Sequence, residues 1–159
     1  MKGNNGTGNI EERDLWQTDQ ELFDKLNLQY NFLWDCCANF DNTKCQLFSD
    51  DFEIVNKIEE TAWMNPPFTK AKEMFSHFYK VVKKGVAIYR CDNMETKVWQ
   101  EVILKNANWI LIPKGRWSYN FFDFTRSGVK NKGSRFPSAL IGFNLEPPKE
   151  IEGTILYLK

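Results

Sequence analysis

Apolar positions along this chain follow two rhythms. Over residues 70–83 they recur at helical spacing, so that Ala71, Met74, Phe75, Phe78, Tyr79 and Val82 share one face. Lys83-Lys84-Gly85 then supplies a helix-end signal. A second helix is predicted over 19–26, with Leu22, Phe23 and Leu26 inward, Thr18 as its cap and Glu21 completing a capping box. A third is predicted over 96–104, where Val98, Trp99, Val102 and Ile103 are apolar. Short continuous apolar runs at 32–34, 61–64, 86–89, 109–112, 139–143 and 154–158 read as strands, the first of them buried. The stretch 38–48 is mostly polar and admits a short helix, and 50–60 is acidic around Phe52, Ile54, Val55 and Ile58. Strands alternating with helices argue for a layered α/β sheet in one compact domain. Such sheets bind ligands at the carboxyl ends of their strands, where Asp35 and Asn65 fall.

Composition sharpens this picture in three places. With 159 residues, 42% hydrophobic and 15% aromatic, the chain suffices for one sizeable core. The Gly/Asn-rich start predicts a disordered leader over 1–10, without the apolar segment of a signal peptide, ahead of a domain over 11–159. Formal net charge is zero, but its distribution is uneven. Between residues 11 and 60 only Arg13, Lys25, Lys44 and Lys57 oppose a long series of acids. From Lys114 to Arg135 the balance inverts, with Lys114, Arg116, Arg126, Lys130, Lys132 and Arg135 against Asp123. A basic patch on a neutral chain either seats phosphates or forms a solvated loop, and charge alone does not separate the two. No apolar run is long enough to span a membrane. Cys36, Cys37, Cys45 and Cys91 lack metal-site spacing, and His77 is the single histidine. That argues against a zinc site or disulfide framework and for reduced thiols in a cytoplasmic setting.

The chemically informative string is Asn65-Pro66-Pro67-Phe68, at the end of the strand predicted over 61–64. Two prolines fix φ near −65° and remove two backbone donors, making a rigid loop. The loop offers an amide oxygen, a backbone carbonyl and an aromatic face, the groups that grip a planar ring bearing an exocyclic amine. Such an amine is a poor nucleophile because its lone pair is delocalised into the ring. Two acceptors aimed at its N–H bonds would localise that pair and stabilise the positive charge that develops on attack at a methyl donor. A proline turn between strand and helix is the bland alternative, although a string of this type should arise by chance in only about one such chain in a hundred.

Together with its surroundings this string resembles the phage-type DNA N6-adenine methyltransferases, small S-adenosylmethionine-dependent enzymes. Asp14-Leu15-Trp16-Gln17-Thr18 with Glu21-Leu22-Phe23 is similar to the family's opening segment. Trp34 to Ala38, with Asn42-Thr43-Lys44-Cys45, resembles its cofactor segment, and Asn65 to Phe68 its catalytic motif. Lys114-Gly115-Arg116 and the stretch 133–138 resemble later blocks, so the likeness runs in order over 14–143. The chain differs at Asp19, where the family has proline, in a loosely matching 90–96 segment, and in lacking a Gly-rich loop after the first strand.

The resemblance implies a Rossmann-like S-adenosylmethionine-dependent methyltransferase sheet with flanking helices, transferring methyl to adenine N6 in double-stranded DNA. It implies that Asn65 and Pro66 hold N6, that Pro67 stiffens the loop and that Phe68 stacks on the flipped base. It assigns cofactor contacts to Trp16, Thr18, Asp35, Cys36 and Ala38, with Asp50 and Asp51 as weaker candidates for the ribose or adenine. From the residues alone, Asp35 serves equally as a helix cap, and Trp16 and Trp34 serve as core. Residues 115–135 mix Arg116, Arg126, Lys130, Lys132 and Arg135 with Trp117, Tyr119, Phe121, Phe122 and Phe124, a blend suited to nucleic acid or to a strand with an apolar face. The resemblance also implies a phage or prophage origin and a bacterial cytoplasm, and leaves room for a homodimer. Three rival functions stand beside it: an amino methyltransferase acting on RNA or protein, a nucleic-acid-binding module that kept the fold without catalysis, and a structural or interaction protein in which the prolines merely shape a turn.

Overall fold

A computed structural model of the chain describes residues 14, 16–114, 119–122, 131–133 and 136–158. The leader expected over 1–10 lies outside them. Among the described residues ten strands form two sheets. The larger has the order β10-β6-β9-β5-β4-β2-β3. Its strands are β2 (Trp34–Asp35), β3 (Leu47–Phe48), β4 (Ala62–Met64), β5 (Gly85–Arg90), β6 (Trp109–Pro113), β9 (Ser138–Phe143) and β10 (Gly153–Tyr157). The smaller joins β1 (Trp16–Thr18), β7 (Tyr119–Phe122) and β8 (Asn131–Gly133) in the order β1-β7-β8.

The large sheet is mixed. β3, β2, β4 and β5 run parallel, β9 is antiparallel to both β5 and β6, and β10 is antiparallel to β6. β4 and β5 are buried at every position, as expected of central strands covered on both faces. Residues from the two faces make two cores. One holds Met64, Phe75, Phe78, Trp99 and Ile110, and the other Leu22, Phe23, Trp63, Trp109 and Leu140. Between them they form a single compact α/β domain.

The helices follow from their apolar spacing. α1 (Gln20–Tyr30) buries Leu22, Phe23, Leu26 and Tyr30. Its cap is Asp19 rather than Thr18: the Asp19 carboxylate accepts the Leu22 N–H at 3.2 Å, while Thr18 is held in β1 opposite Tyr119. α2 (Ala71–Val81) buries Ala71, Met74, Phe75, Phe78 and Val81. Val82 leaves the helix for a bridge to Ile58, so its burial is that of a strand residue. Gly85 belongs to β5 and is not the helix cap expected from the sequence. A Cβ there would lie 2.6 Å from the Ala62 carbonyl oxygen and 2.8 Å from the Phe78 ring, so the glycine serves close strand and helix approach.

The predicted third helix winds as a π-helix over Val98–Ile103 before a short α3 (Leu104–Asn106). The short helix admitted within 38–48 is absent. Asn39 Oδ1 captures the N–H groups of Asp41 and Asn42, and Asn42 Oδ1 that of Asn39, which builds local turns leading into β3.

Candidate active site

The chain passes from β2 to β3 on one side of β2, then returns to β4 on the other. In a parallel sheet that reversal opens a crevice outside the carboxyl ends of the two diverging strands. A cleft of about 820 Å³ occupies this place. Asp35 ends β2 and sits in register with Trp63 of β4, two residues before Asn65. The topology therefore brings two residues thirty positions apart to the rim of one cavity.

Asn65, Pro66 and Pro67 line the cleft. Pro66 is buried, and the Asn65 amide oxygen is sequestered from solvent. Pro67 has φ −61° and ψ 134°, an extended setting directly before the 3-10 turn Phe68–Lys70 that leads into α2. The turn that follows takes its hydrogen bond from the Pro67 carbonyl, with the Lys70 N–H donating at 3.1 Å. Phe68 is half-buried and is not among the cleft-lining residues. Its ring meets Tyr89 and Phe136 edge-on at centroid separations of 5.7 and 5.6 Å, with the Arg90 guanidinium 5.9 Å from its centroid. Arg90 is fixed by Asp92, which accepts from its Nε and Nη2. The loosely matching 90–96 segment thus forms a built support beside the Asn-Pro-Pro-Phe turn, and the Trp99 indole N–H donates to its Arg90 carbonyl and to Asn93.

Asp35 caps no helix. Its Oδ2 accepts the Lys44 backbone N–H at 2.9 Å, while Oδ1 is buried with no hydrogen-bond partner among the described residues. Burial pushes this carboxyl up to about 7, against the lowering pull of the Lys44 N–H and ammonium and of the Cys37 N–H. The thiols of Cys36, Cys37 and Cys45 are likewise raised, by burial first and by the Asp35 charge among further causes. Thr18 is 1% exposed, and its Oγ1 also has no partner among the described residues. Both orphaned oxygens belong to cleft-lining residues.

The remaining sequence candidates divide. Ala38, Asp50 and Asp51 line the cleft. Cys36 does not: its side chain is fully buried in the core, and its backbone N–H donates to the Trp63 carbonyl, while the neighbouring Cys37 reaches the cavity. Trp16 sits on β1 opposite Phe121, and Lys132 on β8 opposite the same residue. Arg116, Arg126, Lys130 and Arg135 lie outside the described residues.

The structure adds residues that sequence reasoning did not single out. Asp14 lines the cleft and clasps Thr69, accepting from its N–H at 3.0 Å and its hydroxyl at 2.6 Å. Lys44, Ser49 and Lys70 also line it. Only the position of Lys44 in the segment after Asp35 hinted at this. Acids dominate the lining, with Asp14, Asp35, Asp41, Asp50, Asp51 and Glu53 against Lys44 and Lys70. Such a cleft attracts a cationic ligand.

A model of the DNA N-6-adenine-methyltransferase (Dam) family matches residues 6–148 of the chain. Among curated proteins none matches it.

Proposed function

Because the chain belongs to the DNA N-6-adenine-methyltransferase family, we propose that it moves a methyl group from S-adenosylmethionine to adenine N6 in DNA, at the Asn65-Pro66-Pro67-Phe68 turn. The observation that carries this is the shared cavity. Asn65 and Pro66 line the same cleft as the orphaned oxygens of Thr18 and Asp35. The strand order, with parallel β3-β2-β4-β5 and a cleft at the β2/β4 reversal, supports the Rossmann-like arrangement.

The lining residues fit the cofactor chemically. A sulfonium nucleoside with an ammonium group seeks acceptors and negative charge, and the cleft offers orphaned Asp35 and Thr18 oxygens with an acidic rim. Asp50 and Asp51, exposed beside it, are suited to ribose hydroxyls. When bound, S-adenosylmethionine supplies an electrophilic methyl carbon. The Asn65 amide oxygen and the Pro66 carbonyl would accept the two N–H bonds of the target amine, localising its lone pair and stabilising the charge formed on transfer. The proton then leaves the methylated nitrogen to water, so no dedicated base is required. Phe68, braced by Tyr89, Phe136 and Arg90, would take the extruded base by stacking, worth about 1–3 kcal/mol. That offsets the few kcal/mol needed to unstack it.

The test is transfer of labelled methyl to unmethylated duplex DNA, in competition with RNA and with protein. DNA as the preferred acceptor is expected. Preference for RNA or protein would keep the chemistry and overturn the substrate.

A further inference from the structure

Arg90 closes β5 with a buried cation, 7% exposed, where the alternation of the strand calls for an apolar residue: Val86 and Ile88, on the same face, belong to the core. Buried ion pairs seldom outdo apolar side chains of similar size in stability. The geometry here serves orientation instead. The Trp99 indole N–H donates to the Arg90 carbonyl at 3.1 Å, and Arg90 pairs with Ser138 across β5 and β9. Asp92 accepts from its Nε at 2.6 Å and from its Nη2 at 2.5 Å. Backbone and side chain are thus both fixed. The guanidinium carbon stands 5.0 Å from the centroid of Phe136 and 5.9 Å from that of Phe68, and these two rings lie 5.6 Å apart at 72°. Edge contacts alone, such as those of Phe68 with Tyr89 and Phe136, tolerate tilt of the ring. A fixed cation shared by two rings is directional and sets the angle between them. An unpaired guanidinium beside Phe68 would also oppose the positive charge that forms on the amine, and the Asp92 fork neutralises it.

We propose that Arg90, held by Asp92, is a positioning residue for Phe68: it fixes the plane of the ring against which the extruded adenine stacks. This rests on the stacking role given to Phe68 above and deepens it. Phe68 is half-buried, so the ring that Arg90 steadies still has surface to offer a base. A tilt of that ring would carry the amine out of line with the methyl donor, and small misplacements of this kind cost rate. Arg90 does not line the cleft, so its effect falls on the DNA side of the reaction and not on the donor.

The test is a double-mutant cycle on methyl transfer to unmethylated duplex DNA, read as kcat/KM for DNA. Arg90→Leu removes the cation, fills its place with apolar volume and leaves the Asp92 side chain, 30% exposed, to water. It is expected to lower kcat/KM about tenfold. The KM for S-adenosylmethionine and the melting temperature should stay nearly unchanged. Arg90→Lys keeps a cation beside the rings and should recover part of the loss. In a Phe68→Ala background Arg90→Leu should change nothing further, because the ring it orients is gone. If Arg90→Leu melts well below the wild type, Asp92→Asn carries the test: it loosens the fork, with an expected loss of about threefold that again requires the Phe68 ring. Equal losses with and without that ring would make Arg90 a general support of the fold and overturn the proposal, as would wild-type rates in Arg90→Leu. A Phe68→Ala protein as active as the wild type overturns the stacking role, and a wild type that methylates no DNA overturns the functional reading; either takes the positioning role with it.

Discussion

At the scale of single residues, the chemistry turns on polar atoms placed where solvent cannot serve them. Asp35 is the clearest case. A carboxyl raised to about 7 by burial binds more protons in the folded chain than in the unfolded one between pH 4 and 7. Stability of the ligand-free protein therefore falls as pH rises through that window, by an amount on the order of 4 kcal/mol if the whole shift is expressed. Asp35→Asn keeps an acceptor for the Lys44 N–H and removes the titration. Denaturant unfolding at pH 5 and pH 8 should show the wild type losing stability and the variant nearly level; parallel losses in both would place the pH dependence elsewhere. Asp19 illustrates a residue whose role was hidden in the sequence. Thr18 and Asp19 are both good caps, and the capping-box spacing from Thr18 to Glu21 pointed to the wrong one. Strand pairing with Tyr119 holds Thr18 extended, so Asp19 closes the helix and the Thr18 hydroxyl has no partner among the described residues. Asp19→Ala should cost about 1 kcal/mol of stability, the usual worth of an N-cap, by thermal unfolding.

At the scale of elements, runs of apolar residues were legible where packing imposes one period. α2, β4, β5, β6 and β9 fall within a residue or two of their predicted bounds because each is buried on at least one whole face. The edge strand β10 was legible too, at Gly153–Tyr157 against the expected 154–158, but β3 and β1 were not. β3 has two residues and β1 three, too few for a period, and each is defined by its partner. β1 is tied back at a second point, since Asp14 just before it clasps Thr69 in the turn after Pro67. That clasp joins the opening strand to the Asn-Pro-Pro-Phe turn across 55 positions of chain. Thr69→Val removes one of its two hydrogen bonds at an exposed site, so little stability is at stake. The expected outcome is faster amide exchange across 16–18 with a nearly unchanged melting temperature. Unaltered exchange would mean that pairing with β7 alone holds the strand.

At the scale of the whole molecule, the order of the large sheet was beyond reach of the sequence. Strand runs do not say which neighbour each strand chooses, and β9, late in the chain, inserts between β5 and β6. That insertion needs Gly142, where a Cβ would fall 1.9 Å from the Trp109 ring. The cleft at the β2/β4 reversal follows from this order, which is why Asp35 and Asn65 were recognised as strand-end residues but not as neighbours. Charge is also organised at this scale. Six acids of the first half line the cleft, and the cations from 114 to 135 form a separate block along the chain. If that block seats DNA phosphates, Lys130→Ala with Arg135→Ala should lower the slope of log affinity against log salt by about 0.9 per lost contact. An unchanged slope would remove both from the interface. The central claim is that Asn65 activates the amine of adenine in a cleft that also holds the methyl donor. Its most direct measurement is nucleoside analysis of duplex DNA incubated with S-adenosylmethionine and either the wild type or Asn65→Ala. N6-methyladenine from the wild type, reduced at least about a hundredfold in a variant that still binds S-adenosylhomocysteine, is the predicted result. Equal yields of N6-methyladenine from both proteins would contradict it.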